Sequence, residues 1–222
     1  MSDQPEQPVR IHDFERLQMW TPTPGAAGKR AKLSFGIRDG NPRITVFTND
    51  PNDKISSGVI YAAMNPETFY MFLKLFGDVV NAKEEVKYKI QCFGTRWEND
   101  KPTKDKLLIS DLCFGRDAEG MVWICLIADN RPKIKFEFNI SDYHLLLDGE
   151  GKQFDKPRAS RLEAAAKLAL LHQVYGIAIT KNLENPTPRP NKDARGGFKK
   201  AETSFSKPAD KSTADLLDDI GF

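Results

Sequence analysis

The chemistry-bearing residues of this sequence lie on alternating runs that mix cations with aromatic rings. Between residues 86 and 97, Val86, Tyr88, Ile90 and Cys92 fall on one side of a predicted strand, and Lys87, Lys89, Gln91, Phe93, Thr95 and Trp97 on the other. Ammonium groups can meet phosphates, and flat rings can stack on bases, each stacked base contributing roughly 1–3 kcal/mol. The pattern recurs at residues 29–38, where Arg30, Lys32, Ser34 and Arg38 oppose Ala31, Leu33, Phe35 and Ile37. A turn at residues 39–42 returns the chain into a second strand, with Arg43, Thr45 and Phe47 outward and Ile44 and Val46 inward. A third run sets Lys133, Lys135, Glu137 and Asn139 against Ile134, Phe136, Phe138 and Ile140. The candidate single-strand-binding set is therefore Arg30, Lys32, Arg38, Arg43, Phe47, Lys87, Lys89, Phe93, Trp97, Lys133 and Lys135.

An ordinary solvated sheet face, with Lys and Arg guarding against edge pairing, uses the same residue types. What sets this chain apart is the company the faces keep. Beyond residue 181 the composition turns to proline, glycine and a basic surplus that includes Arg189, Lys192, Arg195, Lys199, Lys200, Lys207 and Lys211. That linker precedes an acidic, apolar tip, in which Asp215, Asp218, Asp219, Ile220 and Phe222 are the candidate partner-binding residues. So short a segment buries too little surface to fold alone; it suits docking into a basic pocket, on a partner or on the chain's own cationic groove.

Four segments follow: an arm (residues 1–28), an α+β core (29–181), a basic linker (182–211) and the tip (212–222). Within the core, Asn65 caps a predicted helix with Pro66 at its first position, Phe69, Phe72, Leu73 and Phe76 on its apolar face and Gly77 as its stop. A second helix is predicted from Asp155, with Pro157 in its first turn, to about Tyr175 and Gly176. Residues 101–106 read as a basic loop, and 121–128, apolar on both sides, as a central strand. The expected fold is α+β, a curved antiparallel sheet packed against the long C-terminal helix, with an OB-like barrel as the alternative. The helix between the strand runs argues against a small barrel. No sequence repeat of fixed period is found.

Catalytic groups are scattered. His12, His144 and His172 fall in an arm, a loop and a helix, apart from any nucleophile or ligand series, and residues 25–30 lack the length and hydroxyl of a phosphate loop. The expectation is a protein that is not an enzyme and needs no cofactor or metal. Cys92, Cys113 and Cys125, odd in number and set among apolar neighbours, are expected to be buried free thiols. No window approaches a membrane span and the first residues are polar and acidic, so a cytoplasmic protein is expected, in the host cytoplasm if phage-encoded. The net charge of +2, from 33 basic and 31 acidic residues, hides the segregation along the chain on which binding depends.

The tip resembles the C-terminal tip of bacterial and phage single-stranded-DNA-binding proteins, which is acidic and ends on Phe; Gly221 stands where bacterial members have proline. In size, strand-rich core and closing helix, the chain is similar to phage single-stranded-DNA-binding proteins, and more narrowly to the RNA-polymerase cofactors of N4-like phages. The resemblance implies a sheet-plus-helix fold of the Whirly kind and sequence-tolerant coating of exposed strands. It further implies recruitment of a phage RNA polymerase or of replication proteins through the tip. Homo-oligomerisation would suit such coating. Two other classes remain open at this point: a protein adapter or inhibitor acting through the sheet edge and tip without nucleic acid, and an RNA-binding regulator.

Overall fold

The computed structural model describes residues 17–38, 41–98, 101–141 and 143–184, without the side chains of 96–98, 101–102 and 181–184. The fold is α+β and antiparallel throughout. The strands are β1 (Met19–Pro22), β2 (Arg30–Arg38), β3 (Asn41–Phe47) and β4 (Val59–Ala63), then β5 (Val86–Glu98), β6 (Lys101–Arg116), β7 (Val122–Ile127) and β8 (Ile134–Glu137). Helix α1 (Pro66–Asn81) follows β4, and α2 (Lys156–Glu184) follows β8. The strands form two open four-stranded meanders, β1-β2-β3-β4 and β5-β6-β7-β8, and neither closes into a barrel. Four strands and a helix are thus laid down twice.

The inward residues of both sheets and the apolar faces of both helices share one core. Leu33, Phe35, Ile44 and Val46 of the first sheet meet Leu112, Phe114, Ile124 and Phe136 of the second, with Phe69, Phe72, Phe76, Leu171 and Tyr175 from the helices. Strand β7 is buried along its whole length, as a central strand must be. Polar ties join the halves: Tyr175 Oη donates to Gly36 O at 2.8 Å, and Ser110 Oγ to Tyr61 O at 2.7 Å. Arg131 Nη2 meets Asp53 Oδ2 at 2.7 Å with both side chains almost wholly buried.

Local chemistry sets the helix starts. Asn65 Oδ1 accepts from Thr68 N, and Asp155 Oδ1 from Arg158 N, each at 2.8 Å. The predicted stops are corrected. Helix α1 continues through Gly77 to Asn81 because Val79 and Val80 prolong its buried face. Helix α2 likewise passes Gly176, since Ala178 is buried one turn beyond Tyr175. Met19–Pro22, inside the segment expected as an arm, pairs with β2, and Leu17 and Met19 enter the core. The expected basic loop at 101–106 is the start of β6, paired with the end of β5 in a long hairpin. One expectation about membranes also changes: Lys156–Thr180 is long and apolar enough on average to cross a bilayer, although Ala164, Leu171, Tyr175 and Ala178 pack it into the core.

Candidate nucleic-acid interface

The face of the first sheet turned away from the core gathers the cations and rings of the first hairpin. Alternation along each strand puts Trp20 of β1, Arg30, Lys32 and Arg38 of β2, Arg43 and Phe47 of β3 and Tyr61 of β4 on this side. Trp20, Lys32, Phe47 and Val59 form one cross-strand row. The Lys32 ammonium lies 4.2 Å from the Phe47 ring centroid and 6.0 Å from that of Trp20. Four residues from Phe47 along β3, the Arg43 guanidinium lies 3.8 Å from the ring centroid of Tyr61. Between the two groups, Ser34 and Thr45 form a small, buried polar floor. Arg30 and Arg38 are exposed at the two ends of β2. Trp20 is 50% exposed, an unusual state for an indole without a partner surface.

The outward face of the second sheet is different. Its lysines are engaged: Lys87 Nζ is 2.9 Å from Glu85, Lys89 Nζ 3.6 Å from Asp111, and Lys135 Nζ 2.9 Å from Asp117 and 3.2 Å from Glu137. Burial works against the charge on Lys135, but the hydrogen bonds and charges of its two carboxylate partners outweigh it and hold the pKa above the ordinary lysine value. Between these lysines the face is filled by Cys113, Trp123, Cys125 and Ile127, all buried. Lys89, Cys113, Cys125 and Lys135 make one cross-strand row. The hydrogen bond between the two thiols lowers the pKa of Cys113 and, with burial, raises that of Cys125, while burial pushes Cys92 up to about 11. All three cysteines are buried and free.

Phe93 is 52% exposed on the long β5–β6 hairpin, opposite the exposed Leu108. The register shifts at Cys92/Phe93 and Thr95/Trp97 put the extra residues on β6, Ile109 at the first, and β5 keeps its alternation from Lys87 through Phe93. The side chain of Trp97 lies outside the described residues, as do the tip residues Asp215, Asp218, Asp219, Ile220 and Phe222 and the histidine His12. Lys133 precedes β8 and is half-buried. His172 rests against the Tyr70 ring, and among the described residues no group of three or more His, Cys, Asp or Glu is placed to hold a metal.

The structure therefore brings together Arg30, Lys32, Arg38, Arg43 and Phe47 and keeps Lys87, Lys89 and Lys135 on the second sheet in ion pairs. Trp20 and Tyr61 belong to the first face although the sequence reading did not select them. Tyr61, alternating with Ile60 and Ala62 in a short strand, carried a usable signal; Trp20 lay in a segment with too little alternation to reveal a strand.

Comparison with protein-family models, curated proteins and solved structures finds no match to this chain.

Proposed function

We propose that the protein binds single-stranded DNA without strong sequence preference, and that the outward face of the first sheet is its principal contact surface. The supporting observation is the Trp20–Lys32–Phe47 row, in which a half-exposed cation is seated between two rings on the outward side of the sheet. Rings of this kind accept any base, because every base has a π-face, and the cations track the backbone. Arg43 over Tyr61 supplies a second such unit further along the same strands. The second sheet contributes less, since its lysines already neutralise Glu85, Asp111, Asp117 and Glu137. The acidic tip recruits partner proteins of transcription or replication, and it competes with weak nucleic-acid ligands for the cationic face.

The test is fluorescence anisotropy of labelled single-stranded DNA, single-stranded RNA and duplex DNA of matched sequence, each titrated at two salt concentrations. Preference for the DNA single strand, weakening with salt, is the expected result, and loss of that binding on Trp20→Ala or Phe47→Ala assigns the face. Deleting residues 215–222 is expected to tighten binding at low salt. No affinity for any strand overturns the proposal and leaves a protein adapter; preference for RNA replaces it with an RNA-binding regulator.

A further inference from the structure

Helix α2 carries an exposed stripe whose spacing is symmetric about its own midpoint. Leu162, Ala166, Ala169, Leu170, Gln173 and Ile177 are all exposed, with Leu162 at 40%, Leu170 at 47% and Ile177 at 59%. They lie opposite the buried face formed by Ala164, Leu171, Tyr175 and Ala178. No Asp, Glu, Lys or Arg occurs between residues 168 and 180, although half of this surface is open. Solvated helix faces normally carry charge, so thirteen uncharged residues in a row point to a partner rather than water.

We infer that this stripe pairs with the same stripe of a second copy, the two α2 helices antiparallel across a two-fold axis between Ala169 and Leu170. About that point Leu162 mirrors Ile177, Ala166 mirrors Gln173 and Ala169 mirrors Leu170, which is what an isologous contact requires. The axis brings Leu170 against its own copy while Ala169 beside it lets the backbones approach, and it sets Leu162 level with the second copy's Ile177.

In this register Arg158 lies level with the second copy's Lys181 and Asp155 with its Glu184, so like charges at the two rims weaken the contact. Five turns of one helix bury less than the roughly 800 Å² per partner of a standard interface, so the association is concentration-dependent rather than obligate. The inference does not depend on the DNA-binding reading.

The test uses the full chain in light scattering across about two decades of concentration. A reversible dimer is expected, and Leu170→Glu or Ile177→Glu should raise its dissociation constant by about tenfold or more, with helix content unchanged and the thermal midpoint matching the parent's at concentrations where both are monomeric. Orientation is read by cross-linking. Ala169→Cys should form a disulfide with its own copy, whereas Ala166→Cys and Gln173→Cys should each remain largely uncrosslinked alone and react when mixed. A monomer at every concentration, an oligomer indifferent to both substitutions, or self-cross-linking of Ala166→Cys alone overturns the pairing. Stripe-dependent flotation of a monomer with phospholipid vesicles would instead make the occupant a membrane surface.

Discussion

The ammonium of Lys32 sits 4.2 Å from the centre of the Phe47 ring, the two residues being directly opposed across β2 and β3. Neither needs the other for folding, since Ile44, Val46, Leu33 and Phe35 hold these strands from the inner face. Phe47→Ala should therefore leave stability nearly unchanged and weaken single-strand binding by about 1–3 kcal/mol, roughly five- to 150-fold. Lys32→Ala should reduce the slope of log affinity against log salt by about 0.7 if it meets one phosphate. Anisotropy titrations over a salt series measure both.

The second-sheet lysines should behave oppositely. Lys89→Ala and Lys135→Met should change single-strand affinity less than Lys32→Ala, because their charges are already offset by Asp111 and by Asp117 with Glu137. Lys135 has a folded pKa above its unfolded one, so its contribution to stability is complete below the unfolded value and is lost as pH rises through the folded value. The thermal midpoint of Lys135→Met should lie below that of the parent at neutral pH, and the gap should close at pH values above the ordinary lysine pKa of 10.5. A gap that stays constant into that range would contradict the pairing.

Arg131 and Asp53 form a buried pair joining the loop after β7 to the segment before β4; Asp53 also accepts from Thr48 Oγ1 at 2.8 Å, and Arg131 also donates to Val59 O. Arg131→Ala or Asp53→Ala leaves a buried charge without its partner, at a cost of about 3–5 kcal/mol. The double substitution should cost clearly less than the sum of the two. Chemical denaturation of the three variants gives the coupling energy.

At Gly115 a methyl group would come within 2.3 Å of the Val86 carbonyl oxygen and 3.1 Å of Trp123. The first neighbour is backbone on the paired strand β5 and has little room to retreat. Gly115→Ala should cost about 1–3 kcal/mol or more by forcing β5 and β6 apart. Gly77→Ala, whose added methyl would meet only Leu168 at an ordinary 3.6 Å, should be tolerated or slightly stabilising. Thermal unfolding of the pair compares the two sites directly.

Local information was sufficient wherever one residue pattern answered one question. The alternation of Leu33, Phe35, Ile44 and Val46 with Lys32, Arg43 and Phe47 revealed the first hairpin and its cationic face, because a half-buried strand needs only period two. Asn65 with Pro66, and Asp155 with Pro157, marked the helix starts, since capping acts within a few residues. Helix ends were decided by tertiary packing: Val80 and Ala178 are buried in the core and so carry both helices past their glycines. The division into two meanders depends on which strands pair, and that is set by contacts far apart in sequence, such as Tyr175 with Gly36 and Arg131 with Asp53. Likewise, the sequence showed lysines on both sheets, but only the fold placed Asp111 beside Lys89 and Asp117 beside Lys135. Charge is a property of residues, and its availability is a property of neighbours brought together by folding.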